Sequence, residues 1–168
     1  SVLSSKTKAI LCVHLAGWPC DMDQIMELAR IRNLHVIEDC AQAHGARYKG
    51  RSVGSIGDVG CWSFCQDKIM STGGEGGMVT VQDKDLWSKI WSYKDHGKDY
   101  KAMHDSRASH GFRWVHKTFG TNWRMTEMQA AIGRIQLNKL DDWSRKRRFN
   151  AEAIWGAANS LSGIRIPQ

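Results

Sequence analysis

The sequence lacks the features that mark secreted and membrane-spanning proteins. Its opening residues, SVLSSKTKAI, do not show the basic stretch followed by an apolar one that a signal peptide has. No apolar run approaches the roughly 18 residues of a membrane span. The five cysteines form no regular framework, and no pair has the CxxC spacing of many metal sites. These absences predict a cytoplasmic protein without membrane contact, whose cysteines are reduced thiols.

Signatures of nucleic-acid binding are also missing, since the sequence has no zinc-finger, RNA-recognition or helix-turn-helix motif. Its formal net charge is +7, but much of the excess lies in residues 139–148. Consecutive charges on a helix spread around its polar side and do not form one stripe. We therefore expect a solvated helix face there. A patch for anionic substrates or a nucleotide is the second interpretation, and DNA or RNA binding is a distant third.

What the sequence does contain is an alternation of strand and helix signals. At 168 residues and 42% hydrophobic composition, the chain is long enough for one domain with a core. Apolar runs predict strands over residues 9–15, 34–39, 59–64 and 78–81, with an irregular loop at 45–57. Capping residues predict helices from Asp21 or Asp23 to about Ile31, from Asp83 to about Lys94, from Thr126 onwards and from about Asp142 to Asn159. The pattern predicts an α/β fold of three layers, a mostly parallel sheet flanked by helices.

The stretch from 96 to 120 is polar and has no clear period. Because it is longer than a usual connection, we predict a mobile loop over residues 97–120. Its region contains His96, His104, His110 and His116, whose spacings match no compact ligand set. No metal site is predicted.

Asp39 and Gln42 stand where open α/β sheets place ligand contacts, at the carboxyl end of a buried parallel strand. A carboxylate at this position suits pairing with a cationic ring nitrogen. From position alone, an aspartate that merely caps a loop is the better interpretation. Gln42 adds a neutral donor at the same edge.

Lys68 is the sharper signal. It follows a buried strand and precedes the glycine-rich turn STGGEGG, so its amine is expected near the sheet edge with little bulk around it. A lysine in such a place is often used to form a Schiff base. Ser63, five residues earlier, can donate a hydroxyl to a phosphate oxygen. The turn lacks the GxxxxGK[ST] spacing of a P-loop, and with Lys68 alone a surface lysine is the better interpretation.

Four sequence blocks, taken together, favour a functional interpretation of Asp39 and Lys68 over the structural one. They are VHLAGWPCDMD, VIEDCAQAHGARYKGRSVGSIGDVGCWSF, DKIMSTGGEGGMV and GTNWRMTEMQAAIGRIQLNKL. In this order, over nearly the whole chain, they resemble the DegT/DnrJ/StrS family of sugar aminotransferases, which have the aspartate-aminotransferase fold, type I. Residues 97–119 are the least similar part. The resemblance implies pyridoxal phosphate as cofactor, a nucleotide-sugar and an amino donor such as glutamate as substrates, a homodimer or higher homo-oligomer, and a role in sugar biosynthesis such as that of cell-surface polysaccharide.

The resemblance also implies a role for each matching residue. Lys68 resembles the lysine that forms a Schiff base with the cofactor aldehyde and then moves the substrate proton. Asp39 resembles the aspartate that faces the pyridine nitrogen, and Gln42 the residue beside the ring's phenolic oxygen. Ser63 is similar to the serine on the cofactor phosphate, and Asn122 to an asparagine that reaches the phosphate of the neighbouring subunit. Family members with dehydratase activity carry histidine in place of the lysine, so Lys68 favours transamination.

The sequence departs from the family in its length. Family chains carry an upstream Gly-Thr turn that binds the phosphate, an upstream aromatic residue that stacks on the ring, and a small domain downstream. Residues 1–168 are therefore expected to be the central part of the large domain, with weak or no cofactor binding and no activity alone. Two alternatives stay open: a non-catalytic assembly or binding protein that uses the family's dimer surface, and one part of a split enzyme. Unprotected strands at 9–15 and 76–81 also predict self-association.

Overall fold

The structure, a computed structural model, describes residues 2–104 and 114–166. Its strands are β1 (Ala9–Val13), β2 (His35–Asp39), β3 (Arg47–Tyr48), β4 (Arg51–Ser52), β5 (Val59–Ser63) and β6 (Gly77–Val81). Its helices are α1 (Met22–Arg32), α2 (Lys84–Lys94), α3 (Tyr100–His104), α4 (Glu127–Leu137) and α5 (Leu140–Ala158).

The main sheet has the strand order β1-β2-β5-β6. Strands β1, β2 and β5 run parallel, and β6 pairs antiparallel with β5. This confirms the predicted α/β class with a mostly parallel sheet and flanking helices. Strands β1 and β6 are the sheet edges, as the sequence predicted, and β3 and β4 form a separate small antiparallel pair.

Several boundaries differ from the prediction. Strand β1 ends at Val13 because the next residues form a 3₁₀ turn over Leu15–Gly17, in which Ala16 has a left-handed φ of 54°. The loop at 45–57 contains the β3–β4 pair. The last helix, predicted from about Asp142, begins two residues earlier at Leu140. Strand β5 ends at Ser63, one residue before the predicted end at residue 64.

The strand register divides the sheet into two faces. One face, here called the covered face, carries Cys12, Val36, Glu38, Cys40 and Trp62. Helix α1 and the 43–57 segment cover it, and its main apolar cluster is formed by Cys12, Met22, Ala29, Val36 and Ile56.

The opposite face, here called the open face, carries Leu11, Val13, Ile37, Cys61 and Val79. It is apolar but poorly covered: Leu11 is 62% exposed, Val13 42% and Val79 43%. A parallel sheet normally has apolar cover on both faces.

After α2 the chain is hydrogen-bonded across to a later segment, and residues 93–99 and 115–124 together are here called the strap. Thr121 N donates to Tyr93 O at 2.7 Å, and Trp123 N donates to Lys94 O at 2.9 Å. Gly97 allows the crossing, because its φ is +73° and a Cβ there would overlap the Thr118 carbonyl oxygen. The predicted mobile loop at 97–120 thus includes α3 and part of the strap. Residues 105–113, with His110, lie outside the described residues, and mobility stays a prediction.

Helix α4 begins with the predicted capping box. The Thr126 hydroxyl accepts from Gln129 N, and the Gln129 side chain reaches back to the Thr126 backbone. None of the helices within 2–104 and 114–166 has the length and apolar character needed to cross a bilayer.

Candidate functional site

Lys68 lies in a turn that folds back on the end of β5. Its backbone N donates to Cys65 O at 3.1 Å, and Thr72 N donates to Phe64 O at 3.2 Å. The Lys68 side chain is 19% exposed, and its Nζ lies 3.6 Å from Asp67 Oδ1. The Lys68 side chain is therefore mostly buried, while its one described ion-pair partner, Asp67, is exposed to solvent.

Helix α4 anchors the segment that follows Lys68. Ser71 N donates to Gln136 Oε1 at 2.8 Å, and Gln129 Nε2 donates to Glu75 O at 2.7 Å. Gly133 is buried between these contacts, where a Cβ would lie 2.9 Å from Thr72 Cγ2. Two glutamines and a close helix contact therefore fix the glycine-rich turn.

Asp39 and Ser63 lie on the open face at the carboxyl ends of β2 and β5. Asp39 is the last residue of β2, and its Oδ1 accepts from Ala41 N at 3.0 Å. Ser63 is the last residue of β5, and Cys65 N donates to its Oγ at 3.3 Å. In the described hydrogen bonds only one oxygen of the Asp39 carboxylate is used.

Gln42 reaches the turn after β1, where Ala16 N donates to its Oε1 at 2.7 Å. This contact directs the amide so that the Nε2 group remains as a donor. Gln42 therefore belongs to the same sheet edge as Asp39 and Ser63. Asn122 lies in a different place, in the strap after α2, where its backbone pairs with that of Asp95.

Sequence reasoning missed the most buried polar pair of this region, His14 and Glu38. Both side chains are fully buried, and His14 Nε2 lies 3.0 Å from Glu38 Oε2. Cys20 N donates to His14 Nδ1 at 3.1 Å, so Nε2 carries the ring proton and donates to Glu38.

The Glu38 carboxylate also accepts three backbone N–H groups, from Gly54 at 2.8 Å, Ile56 at 2.8 Å and Gly57 at 2.7 Å. Burial raises the pKa of Glu38, but these hydrogen bonds and the one from His14 hold it below its ordinary value. Glu38 therefore carries a charge that ties the 54–57 loop to the sheet.

The same neighbourhood offers a set of metal-type side chains, since ligand atoms of His14, Glu38 and Cys40 lie within 4.8 Å of one another. Each Glu38 oxygen already accepts two hydrogen bonds, and the His14 nitrogen that faces it carries a proton. A metal ion would have to displace these donors. The arrangement is that of a satisfied hydrogen-bond network and not of a ligand set.

His44 is a second residue that sequence reasoning passed over. It is buried against Trp62 and Phe64, with ring centroids 5.6 Å and 5.9 Å away, and neither ring nitrogen has a hydrogen-bond partner among the described residues. Burial lowers the pKa of His44, and the charge of Lys68 adds to the shift. The charge of Lys68 is therefore close enough to His44 to affect the pKa of its imidazole.

The chemistry of these donors fits pyridoxal phosphate. An amine, a carboxylate, a neutral amide donor and a hydroxyl gather at the carboxyl ends of adjacent strands, in Lys68, Asp39, Gln42 and Ser63. These groups match, in turn, an aldehyde, a ring nitrogen, a phenolic oxygen and a phosphate.

Fold and site together define an α/β protein with polar side chains and a lysine at the carboxyl edge of a parallel sheet, where open α/β sheets place ligand contacts. The chain belongs to the DegT/DnrJ/EryC1/StrS aminotransferase family, which it matches over residues 1–167. Members of this family are pyridoxal-phosphate-dependent aminotransferases, and the sequence-based assignment is confirmed.

Comparisons with individual proteins support the family assignment. The chain is 46% identical over 159 residues to GDP-perosamine synthase of Escherichia coli O157:H7, covering 95% of the chain and 41% of the relative. It is 39% identical over 165 residues to dTDP-3-amino-3,4,6-trideoxy-alpha-D-glucose transaminase of Streptomyces venezuelae, covering 98% and 40%. Among solved structures, an aminotransferase from Psychrobacter cryohalolentis superposes with a TM-score of 0.88 at 66% identity, covering 92% and 41%. The chain therefore spans about two fifths of the length of these relatives.

Proposed function

We propose that the natural protein carrying this sequence is a nucleotide-sugar aminotransferase that moves an amino group from an amino acid such as glutamate to a keto-sugar. One observation carries the proposal: the mostly buried Lys68, in a turn whose next residues are anchored to α4, follows the strand whose last residue, Ser63, shares a sheet face with Asp39. The names of the relatives, a perosamine synthase and an amino-sugar transaminase, support the substrate class.

Each residue has a defined task in this proposal. When bound, pyridoxal phosphate supplies the electron sink that makes amino transfer possible. The Lys68 amine would hold the cofactor aldehyde and would move a proton at the substrate carbon. The Asp39 carboxylate keeps the proton on the ring nitrogen, and the Gln42 Nε2 group donates to the phenolic oxygen. Ser63 donates its hydroxyl to the phosphate, and Asn122 donates to the phosphate of the neighbouring subunit.

We also propose that residues 1–168 are the central part of the large domain and, taken alone, bind the cofactor weakly and show no turnover. Coverage of about two fifths of each relative supports this. A symmetric dimer is proposed because the open face leaves Leu11, Val13 and Val79 exposed. A cytoplasmic location is supported by five free thiols.

Lys68→Ala tests the proposal directly. The natural protein with pyridoxal phosphate should show a yellow absorbance band, and borohydride should attach the cofactor to the peptide that contains Lys68. In Lys68→Ala both the band and the attachment should disappear. Lys89→Ala, which changes an exposed lysine on α2, should retain both. A band that persists in Lys68→Ala would show that another residue holds the aldehyde.

A second candidate function, a non-catalytic assembly protein, is favoured by the open apolar face. It predicts no absorbance band in the natural protein with pyridoxal phosphate. It also predicts that Lys68→Ala changes nothing, while Leu11→Lys disrupts self-association as measured by light scattering.

A further inference from the structure

A contact in the strap fixes the direction of the Asn122 side chain. Arg124 Nε donates to Asn122 Oδ1 at 3.0 Å. Because an arginine Nε–H can only donate, this contact requires the amide oxygen of Asn122 to face Arg124. The amide NH₂ group then faces away. No hydrogen bond within the described part of the chain uses it, so it presents two free donors.

Asp95 in turn fixes Arg124. Its side chain is only 10% exposed, and Arg124 Nε lies 3.7 Å from its Oδ1. Lys98 Nζ lies 3.0 Å from the same oxygen, and Lys94 Nζ lies 3.9 Å from Oδ2. Oδ1 is held by charge and not by a well-aligned hydrogen bond. Burial raises the pKa of Asp95, but Lys98, Lys94 and Arg124 together hold it below its ordinary value.

The charge around Asn122 suits an anionic acceptor. The three cations Lys94, Lys98 and Arg124 surround the single carboxylate of Asp95, so the cluster is net positive. Two N–H donors beside a net positive cluster favour an oxyanion such as a phosphate. If the amide were turned around, its carbonyl oxygen would face the anion and repel it.

We propose that Arg124, held by Asp95, is a positioning residue that keeps the NH₂ group of Asn122 directed at the cofactor phosphate of the neighbouring subunit. This rests on the proposed function, in which Asn122 contacts that phosphate. Arg124 acts through Asn122 and needs no contact with the cofactor.

The test compares binding of pyridoxal phosphate with binding of pyridoxal, which has the same ring and aldehyde but no phosphate. Arg124→Lys keeps the charge and removes the Nε–H that orients the amide. We expect it to weaken binding of pyridoxal phosphate roughly tenfold, the effect of one hydrogen bond to a charged group, while binding of pyridoxal changes less than about twofold. Arg124→Gln, which removes the charge as well, should show the same selective loss. Arg134→Lys, an exposed arginine on α4, is the matched control and should change neither affinity.

A double-mutant cycle separates an effect through Asn122 from a direct one. In an Asn122→Ala background, Arg124→Lys should cause no further loss of phosphate selectivity. A loss that persists there would mean that Arg124 contacts the phosphate itself, and an equal loss for both ligands would mean a purely structural role. Either result overturns the inference. If the natural protein binds pyridoxal phosphate without preferring it to pyridoxal, only this inference fails. If it binds no pyridoxal phosphate at all, the proposed function fails with it.

Discussion

The covered and open faces of the sheet use neighbouring acidic residues in opposite ways. Glu38 points to the covered face, where it is fully buried and its two oxygens accept four hydrogen bonds. Asp39, the next residue, points to the open face, and its one described hydrogen bond comes from Ala41 N. A buried carboxylate with saturated oxygens gives rigidity but has no capacity left for a ligand. An incompletely used carboxylate at a strand end has that capacity. Because side chains alternate along β2, one carboxylate stabilises the covered face and the next is free to bind a ligand on the open face.

The largest expected effect distinguishes these two carboxylates by isosteric substitution. Glu38→Gln replaces an acceptor oxygen by an NH₂ group that faces two of the four donors, so it should lower the free energy of unfolding by about 4 kcal/mol. Asp39→Asn keeps a carbonyl oxygen for Ala41 N and should cost less than about 1 kcal/mol. Urea unfolding of both variants measures the difference. Equal losses would contradict the division between the two faces.

A smaller effect is expected from apolar side chains on the two faces. Met22 is fully buried against the covered face, so Met22→Ala should cost about 3 kcal/mol through lost transfer energy and a cavity. Leu11 is 62% exposed on the open face of the single chain, so Leu11→Ala should cost less than about 1 kcal/mol at concentrations too low for the proposed dimer to form. The same urea experiment compares them. A large cost at Leu11 would mean that another chain covers the open face in solution.

The smallest expected effect is on the loss of unfolding free energy at low pH. The pKa of Glu38 lies below its ordinary value of 4.5 in the folded protein, so the unfolded chain takes up the proton more readily. Its contribution to stability is fully present above pH 4.5 and is lost as the pH falls through the lowered value. Asp95 acts in the same direction. Unfolding free energies measured from neutral pH downwards should decline less in Glu38→Gln than in the native protein. Parallel curves would show that folding does not lower the pKa of Glu38.

Local signals explain what the sequence could predict. The capping box of Thr126 and Gln129, the buried β2 strand and the glycine-rich turn after β5 each depend on residues close together in the chain. For that reason the order of the four strands of the main sheet, its edges and the starts of α1, α2 and α4 could be predicted from the sequence. The positions of Asp39 and Lys68 at the carboxyl edge followed from the same patterns, while their chemical roles still rest on the family.

Long-range contacts explain what it could not predict. The three backbone N–H groups that bind Glu38 lie 16 to 19 residues further along the chain, and His14 lies 24 residues before it. No spacing rule connects such positions. The Asp95–Arg124 contact also depends on the strap, which forms only because Gly97 allows the chain to cross itself. Most of the strap lies in the part of the sequence without hydrophobic periodicity, where the sequence pattern predicts no structure.

Because the turn after Lys68 is attached to α4 at two points, the spacing of residues along that helix determines the position of the turn. Gln129 and Gln136 are seven residues apart, about two turns, so they reach the glycine-rich turn from the same side of the helix. One extra residue between them would rotate Gln136 by about 100° and release Ser71, although no residue of the site itself would change. Insertions and deletions inside α4 should therefore be tolerated far less than substitutions on its exposed surface, because the two contacts require the seven-residue spacing of the glutamines as well as their side chains.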